Sequence, residues 1–194
     1  HLGNYAAKAF DLSYDYIIYS NEKVAEKGHK TEEAINTIDE QLTRYLISLS
    51  GEALSQKESE VLTNILDSSR DLERIGDHAE ALINLNDYLQ RKNVQFSEAA
   101  LEELAEIYLK TSEFVKDALE SVENNDLEKA QALIERHEDI NNMERVLRKT
   151  HIKRLNNGEC STQAGVNFID IISHYTRVSD HAMNLAEKVL AEQI

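Results

Sequence analysis

The chain has 194 residues, an apolar fraction of 41% and a balance of 21 basic against 36 acidic side chains, for a net charge of −15. That length and apolar content suffice for a packed core, while the negative charge excludes a general electrostatic grip on nucleic acid or on an anionic membrane surface and favours cations or basic partners. One cysteine, Cys160, excludes an internal disulfide framework, and no apolar run approaches the ~20 residues that span a bilayer.

Proline is absent, glycine is rare and Ala, Leu, Glu and Lys dominate, a composition that favours long helices. A first helix is expected over about 4–27, interrupted by "KGHKT", where Thr31 can cap a second helix over 32–49 with Glu32 and Glu33 in its first turn. In that second helix Ile35, Ile38, Leu42, Tyr45, Leu46 and Leu49 form a stripe of helical period. After "SGEALS", Ser55 and Glu58 have the spacing of a capping box and open a third helix that runs to about Arg91. "KNVQFS" places Ser97 before a fourth helix over 98–123, and "ENNDLE" separates it from a fifth over 126–156. Gly158 in "LNNGECS" stops the fifth, and Ser161 caps a sixth over 162–192.

The third and sixth helices repeat one another. "LERIGDHAEAL" (72–82) matches "YTRVSDHAMNL" (175–185) in its arginine, its Asp-His-Ala and its final leucine, and "INTID" (35–39) pairs with "INNME" (140–144) at nearly the same offset. A half-chain duplication explains both. The expected fold is all-α: two tandem antiparallel three-helix bundles related by a pseudo-twofold, with the repeats over 1–95 and 96–194.

Glu73 and Asp77 are four residues apart on one helix, so both carboxylates can reach one ion. Carboxylates at this spacing on facing helices are how bundles build di-metal sites. Oxygen ligation suits Mg, Ca, Mn or Fe, and nearby His78, His174 or His181 would widen the choice to Zn or Ni. Asp180 keeps its place in the second copy, where Thr176 replaces the glutamate and His174 and Asp170 stand at the equivalents of Asp71 and Asp67. Asp39 and Glu144, paired by the duplication, are supplementary ligand candidates. The same charges at i,i+4 also suit a solvated helix face. His78 and His181 lie about 100° around the helix from the aspartates, which favours polar packing, and His137 lies on an apolar stripe that favours a core position. No Ser-His-Asp or Cys-His pattern and no phosphate-cradling glycine loop is present, and Cys160 has no close basic neighbour, so the reading is not an enzyme.

"RDLERIGDHAE" and its weaker copy "TRVSDHAMNLAE" resemble the E(D)xxxD signature of the PhoU family, and "INTID" and "INNME" resemble that family's second-helix segment. Residues 151–187, through Arg154, Leu155, Gly158, Cys160, Gly165, Phe168 and Asp170, further resemble the PhoU-like domain at the C-terminal end of bacterial sodium-phosphate cotransporter-type proteins. The chain opens already helical at "HLGNYAAKAF", as a segment cut from a longer protein would. The resemblance implies a regulatory domain at the cytoplasmic face of the membrane. It would be attached in cis to an N-terminal transporter domain, modulate phosphate uptake and bind metal through Glu73 and Asp77, with Asp180 alone surviving in the second half. The alternatives are a stand-alone PhoU-type regulator working with phosphate-signalling proteins, and a metal-independent helical interaction module with acidic faces for basic loops. An acidic, amphipathic chain of this kind can also form a homodimer.

Overall fold

The computed structural model describes residues 1–50 and 54–191, so residues 51–53 of the expected second interruption and residue 192 of the sixth helix's expected span lie outside the described residues. Six helices follow one another: α1 (Leu2–Tyr19), α2 (Glu22–Ser50), α3 (Gln56–Arg91), α4 (Glu98–Asn124), α5 (Leu127–Asn156) and α6 (Thr162–Leu190), with no strand among the described residues. α1, α2 and α3 pack on one another, as do α4, α5 and α6. The two bundles meet along α3 against α6 and, less extensively, along α1 against α4. Both pairings join equivalent helices of the duplicated halves, as a pseudo-twofold requires.

The expected caps account for three of the six helix starts. Ser55 and Glu58 form the full capping box, and the hydroxyls of Ser97 and Ser161 accept from the backbone N–H groups of Ala100 and Ala164. Asp126 does the same for α5, accepting from Lys129 N–H, after Asn125 has turned the chain through the left-handed region at φ 49°. Gly158, at φ 72°, reverses the chain after α5, where a residue with a Cβ would be strained.

One boundary differs from the sequence expectation. The break between α1 and α2 falls at Ser20–Asn21 rather than at "KGHKT". Ser20 takes the left-handed conformation and its N–H bonds the Tyr16 carbonyl, while the Asn21 side chain accepts from Lys23 N–H at 3.0 Å. Asn86 on α3 also donates to the Tyr16 carbonyl, which ties the turn to the bundle. Thr31 is therefore inside α2, buried, with its hydroxyl bonded back to the Lys27 carbonyl instead of capping a helix. Gly28 lies inside α2 against α3, where an added Cβ would be 2.3 Å from the terminal Cδ1 of Ile83.

One apolar core runs through both halves. Phe10 of α1, Ile75 of α3, Phe114 of α4 and Phe168 and Tyr175 of α6 are all completely buried in it, each burial stabilising by about 1.5–3 kcal/mol. At the α1/α4 contact Tyr14 and Tyr108 stack with ring centroids 3.6 Å apart, and Phe10 meets Tyr175 edge-on. No described helix is long and apolar enough to cross a membrane. The helices hold α2 beside α3, and α5 beside α6, in fixed register; those two pairs carry the duplicated motifs.

Candidate functional site

In the first half, α2 and α3 each present polar residues at positions i, i+4 and i+7: Glu32, Asn36 and Asp39 from α2, Glu73, Asp77 and Glu80 from α3. This spacing keeps each set on one helix face. Glu32 and Asp39 are buried, while Glu73 and Asp77 are half-buried. Asn36 donates to Glu32, Ser69 donates to Asp39 at 2.7 Å, and His29 Nδ1 lies 3.2 Å from Glu80. Burial, followed by the charges of Glu80, Asp77 and Glu73, pushes the Glu32 carboxyl above its ordinary range; the helix pair thus gathers like charges into one field. Burial and then the neighbouring Asp77 likewise raise Glu73, against the opposing pull of Arg74 and Arg70.

Two arginines of α3 cover this carboxylate face. Arg74 reaches Asp77 at 3.0 Å and Glu73 at 3.7 Å, and Arg70 reaches Asp39 at 3.2 Å and Glu73 at 3.9 Å. The Glu73 Oε2 atom is nevertheless buried without a hydrogen bond. Among the described residues no three Cys, His, Asp or Glu side chains converge closely enough to grip an ion as they stand. The donors on this face are carboxylate oxygens, and Glu73 Oε2 is left without a hydrogen bond; such oxygens are the donor class that hard cations take.

The second half is built on the same plan and filled differently. His137 stands at the equivalent of Glu32, Glu144 at that of Asp39, Thr176 at that of Glu73, Asp180 at that of Asp77 and Met183 at that of Glu80. His137 Nε2 lies 3.0 Å from Asp180, which Arg177 also reaches at 3.3 Å. Burial alone would raise the Asp180 carboxyl; the His137 hydrogen bond and charge and the Arg177 charge outweigh it and hold it below the usual range. Glu144 is bound by Arg148, which also donates to Ser173, and the Thr176 hydroxyl turns back to the Ile172 carbonyl. Asp180 and Glu144 are thus each paired with a protein side chain, Asp180 with His137 and Arg177 and Glu144 with Arg148.

The sequence-derived residues therefore separate. Glu73, Asp77 and Asp39 share one face, whereas Asp180 and Glu144 belong to another. His137 is not simply a core residue: its ring packs near Phe114 while its nitrogen serves Asp180. His78 and His181 turn toward the seam between the bundles. His78 Nδ1 meets His174 Nδ1 at 3.0 Å, and at the symmetry-equivalent place His181 meets Asp71 at 3.0 Å, with Asn184 and Lys188 completing the Asp71 shell. Glu32 and Glu80 escape the sequence reading because Glu32 was assigned to the first turn of a helix at Thr31. The seven-residue interval from Glu32 to Asp39, repeated from His137 to Glu144, is the signal that places it on the motif face.

Two three-helix bundles with an Asp-His-Ala motif repeated on facing helices define a duplicated helical-bundle protein, and comparison with known proteins names the class. The PhoU domain family matches residues 1–85 and 104–189. The chain belongs to the PhoU family. It is 30% identical over 178 residues to the phosphate-specific transport system accessory protein PhoU homolog 1 of Thermotoga maritima, covering 92% of this chain and 68% of that protein. It is 21% identical over 193 residues to the corresponding homolog of Clostridium acetobutylicum, covering 97% and 86%. In fold it is similar to PhoU from Pseudomonas aeruginosa, with a TM-score of 0.89 at 18% identity over 100% of this chain and 93% of the other. The phosphate transport system regulatory protein PhoU from Streptococcus pneumoniae is similar too, with a TM-score of 0.84 at 21% identity over 97% and 88%.

Proposed function

We propose that this chain is a PhoU-type regulator of phosphate transport. It would act at the cytoplasmic side of the membrane on components of a phosphate-transport system, with the α2/α3 face of its first half as a divalent or ferric cation site. The observation that supports the site most is the carboxylate group Glu32, Asp39, Glu73 and Asp77 around a buried Glu73 oxygen that has no hydrogen-bond partner. The accessory role is supported by family membership and by the relatives' names, which describe accessory proteins of a phosphate-specific transport system. Those names favour action in trans over attachment to a transporter in cis; the stretch 151–187 is the argument for the fused form, and the length of the natural gene product decides between them.

A metal would supply positive charge that draws the two helices' carboxylates together. Glu73 and Asp77 would hold it from α3 and Asp39 from α2, with Glu32 and Glu80 at the margin. Mg, Mn and Fe suit these oxygens best, and Zn or Ni would call on His29. A second reading, an interaction surface that needs no ion, draws on the second half, where Arg177 and His137 pair with Asp180 and Arg148 pairs with Glu144.

The test is phosphate uptake and phosphate-responsive gene expression in a strain lacking this chain. The wild-type chain restores normal control, Asp77→Ala does not, and Asp180→Ala does. Full restoration by Asp77→Ala would remove the first-half face from the function and favour the ion-independent surface.

A further inference from the structure

The chain's one cysteine sits where two helices meet, and the fold gives it a partner that the sequence spacing concealed. After α5 ends at Asn156, Gly158 turns the backbone at φ 72°, its N–H donating to the Leu155 carbonyl and that of Glu159 to the Arg154 carbonyl. The chain doubles back against the end of α5, and Cys160, immediately before the Ser161 cap of α6, arrives beside His151, nine residues earlier. The Cys160 Sγ atom lies 3.7 Å from His151 Nε2. The expectation that this thiol has no close basic neighbour therefore fails.

Packing holds the His151 ring for that contact. The residue is 2% exposed and its ring lies flat on Phe168 of α6, with centroids 4.1 Å apart and planes 7° from parallel. Its Nδ1 atom is buried without a hydrogen bond, so the sulfur is the ring's one hydrogen-bonding partner among the described residues. A ring that served only to pack would be better as a phenyl group, which leaves no buried nitrogen unsatisfied. Burial first, and the Arg154 charge second, lower the proton affinity of His151, with Glu103 opposing; a neutral imidazole keeps a lone pair free for a thiol proton. Arg154 grips Glu103 of α4 through two nitrogens, each at 2.6 Å, and is close enough to Cys160 to respond to a charge on its sulfur. Cys160 itself is only half-buried, so a small solute can reach it.

We infer that Cys160 is a peroxide-reactive thiol with His151 as its proton acceptor, and so a site of reversible oxidation in the turn between α5 and α6. The thiol proton passes to His151 Nε2, and the sulfur attacks one oxygen of a hydroperoxide. A sulfur–oxygen bond forms as the oxygen–oxygen bond breaks, and the leaving oxygen takes the electron pair and the proton from Nε2. With hydrogen peroxide the products are cysteine sulfenic acid and water: the sulfur is oxidised by two electrons, the peroxide is reduced, and His151 ends neutral. A thiol reductant reverses the change. The product places a new polar oxygen in a turn whose neighbour, the Arg154–Glu103 pair, ties α5 to α4. Nothing in this chemistry depends on a cation.

The experiment treats the purified chain with hydrogen peroxide at neutral pH in the presence of dimedone, which traps sulfenic acid, and follows the adduct on Cys160 by mass spectrometry over time. With one cysteine there is no second thiol to react, and oxidation of the two methionines gives no dimedone adduct. Three samples are compared: native wild type, the same chain unfolded in urea, and His151→Phe, which keeps an aromatic ring on Phe168 and removes the base. Native wild type is expected to form the adduct about tenfold or more faster than the unfolded chain, and folded His151→Phe to fall back to the unfolded rate. Alkylation by iodoacetamide, which reads the thiol's nucleophilicity without an oxidant, is expected to follow the same order. A native rate equal to or below that of the unfolded chain overturns the inference, and so does an unchanged rate in folded His151→Phe. If circular dichroism shows that His151→Phe does not fold, the ratio of native to unfolded rates in wild type decides alone.

Discussion

Lowering the pH should strain the seam between the two bundles through His78. Its ring nitrogen abuts His174 Nδ1 at 3.0 Å, its ring centroid lies 5.6 Å from that of His181, and Arg177 and Arg74 are close enough to repel a proton. Burial first, then the neighbouring His174 and His181 and after them Arg177 and Arg74, depress His78 from 6.5 to about 4; burial also lowers His174, with Asp170 opposing. Between these values the unfolded chain binds a proton that the folded chain refuses, so the unfolded state gains with falling pH. The contribution is whole above pH 6.5, shrinks as the pH falls and is gone below about 4. Taken at face value the shift removes about 2 kcal/mol between pH 7 and pH 5, and partial solvent exposure of the ring reduces that to roughly 1–2 kcal/mol. Chemical denaturation of wild type and His78→Gln at both pH values isolates the term, since carboxylate titration is common to both chains. The variant is expected to lose about 1–2 kcal/mol less than wild type on going from pH 7 to pH 5. Equal losses in the two chains would refute the assignment of the proton-linked stability to this histidine pair.

Three further substitutions probe the fold and the two motif faces. Tyr175 is wholly buried with its hydroxyl unpartnered, so Tyr175→Phe should stabilise by about 1 kcal/mol in a urea melt at unchanged m-value, because an unsatisfied buried hydroxyl costs about 1–3 kcal/mol; a loss of stability would mean the hydroxyl is satisfied. Ile75, completely buried one residue from the first-half arginine, should cost about 2–5 kcal/mol as Ile75→Ala by the same melt, and a smaller loss would mean the core repacks there. Asp180→Ala should cost about 1 kcal/mol through loss of the His137 and Arg177 contacts, while leaving bound metal, measured by elemental analysis, unchanged.

The architecture was legible because its signals are local and doubled. Ser55, Ser97, Ser161 and Gly158 punctuate the chain by side-chain chemistry that acts within a few residues, and the recurrence of Asp-His-Ala gave the pseudo-twofold. The α1/α2 turn differs from the expectation because Gly28 reads as a breaker in isolation, whereas in the fold it sits inside α2 facing Ile83, more than fifty residues away in sequence. The real turn uses Ser20 in the left-handed region and an Asn21 side chain, a combination with weaker sequence signal than glycine or proline. At the site, i,i+4 spacing brought out Glu73 and Asp77, and the duplication pointed to Asp39. Neither showed that Arg70 and Arg74 fold over them, since a helical arginine reaches forward or back depending on what its neighbour helix presents. Polar packing was the expected role of His78 and His181, but their partners were not legible: His78 and His174 are ninety-six residues apart and meet only because α3 packs on α6.

The central claim is that one of the two duplicated faces holds a cation and the other has replaced it with protein charges. The most direct measurement is metal per chain by elemental analysis, on protein purified without chelator, for wild type, Asp77→Ala and Asp180→Ala side by side. The account predicts metal in wild type and in Asp180→Ala and its loss in Asp77→Ala. Metal lost equally from both variants, retained in Asp77→Ala, or absent from all three chains would contradict it.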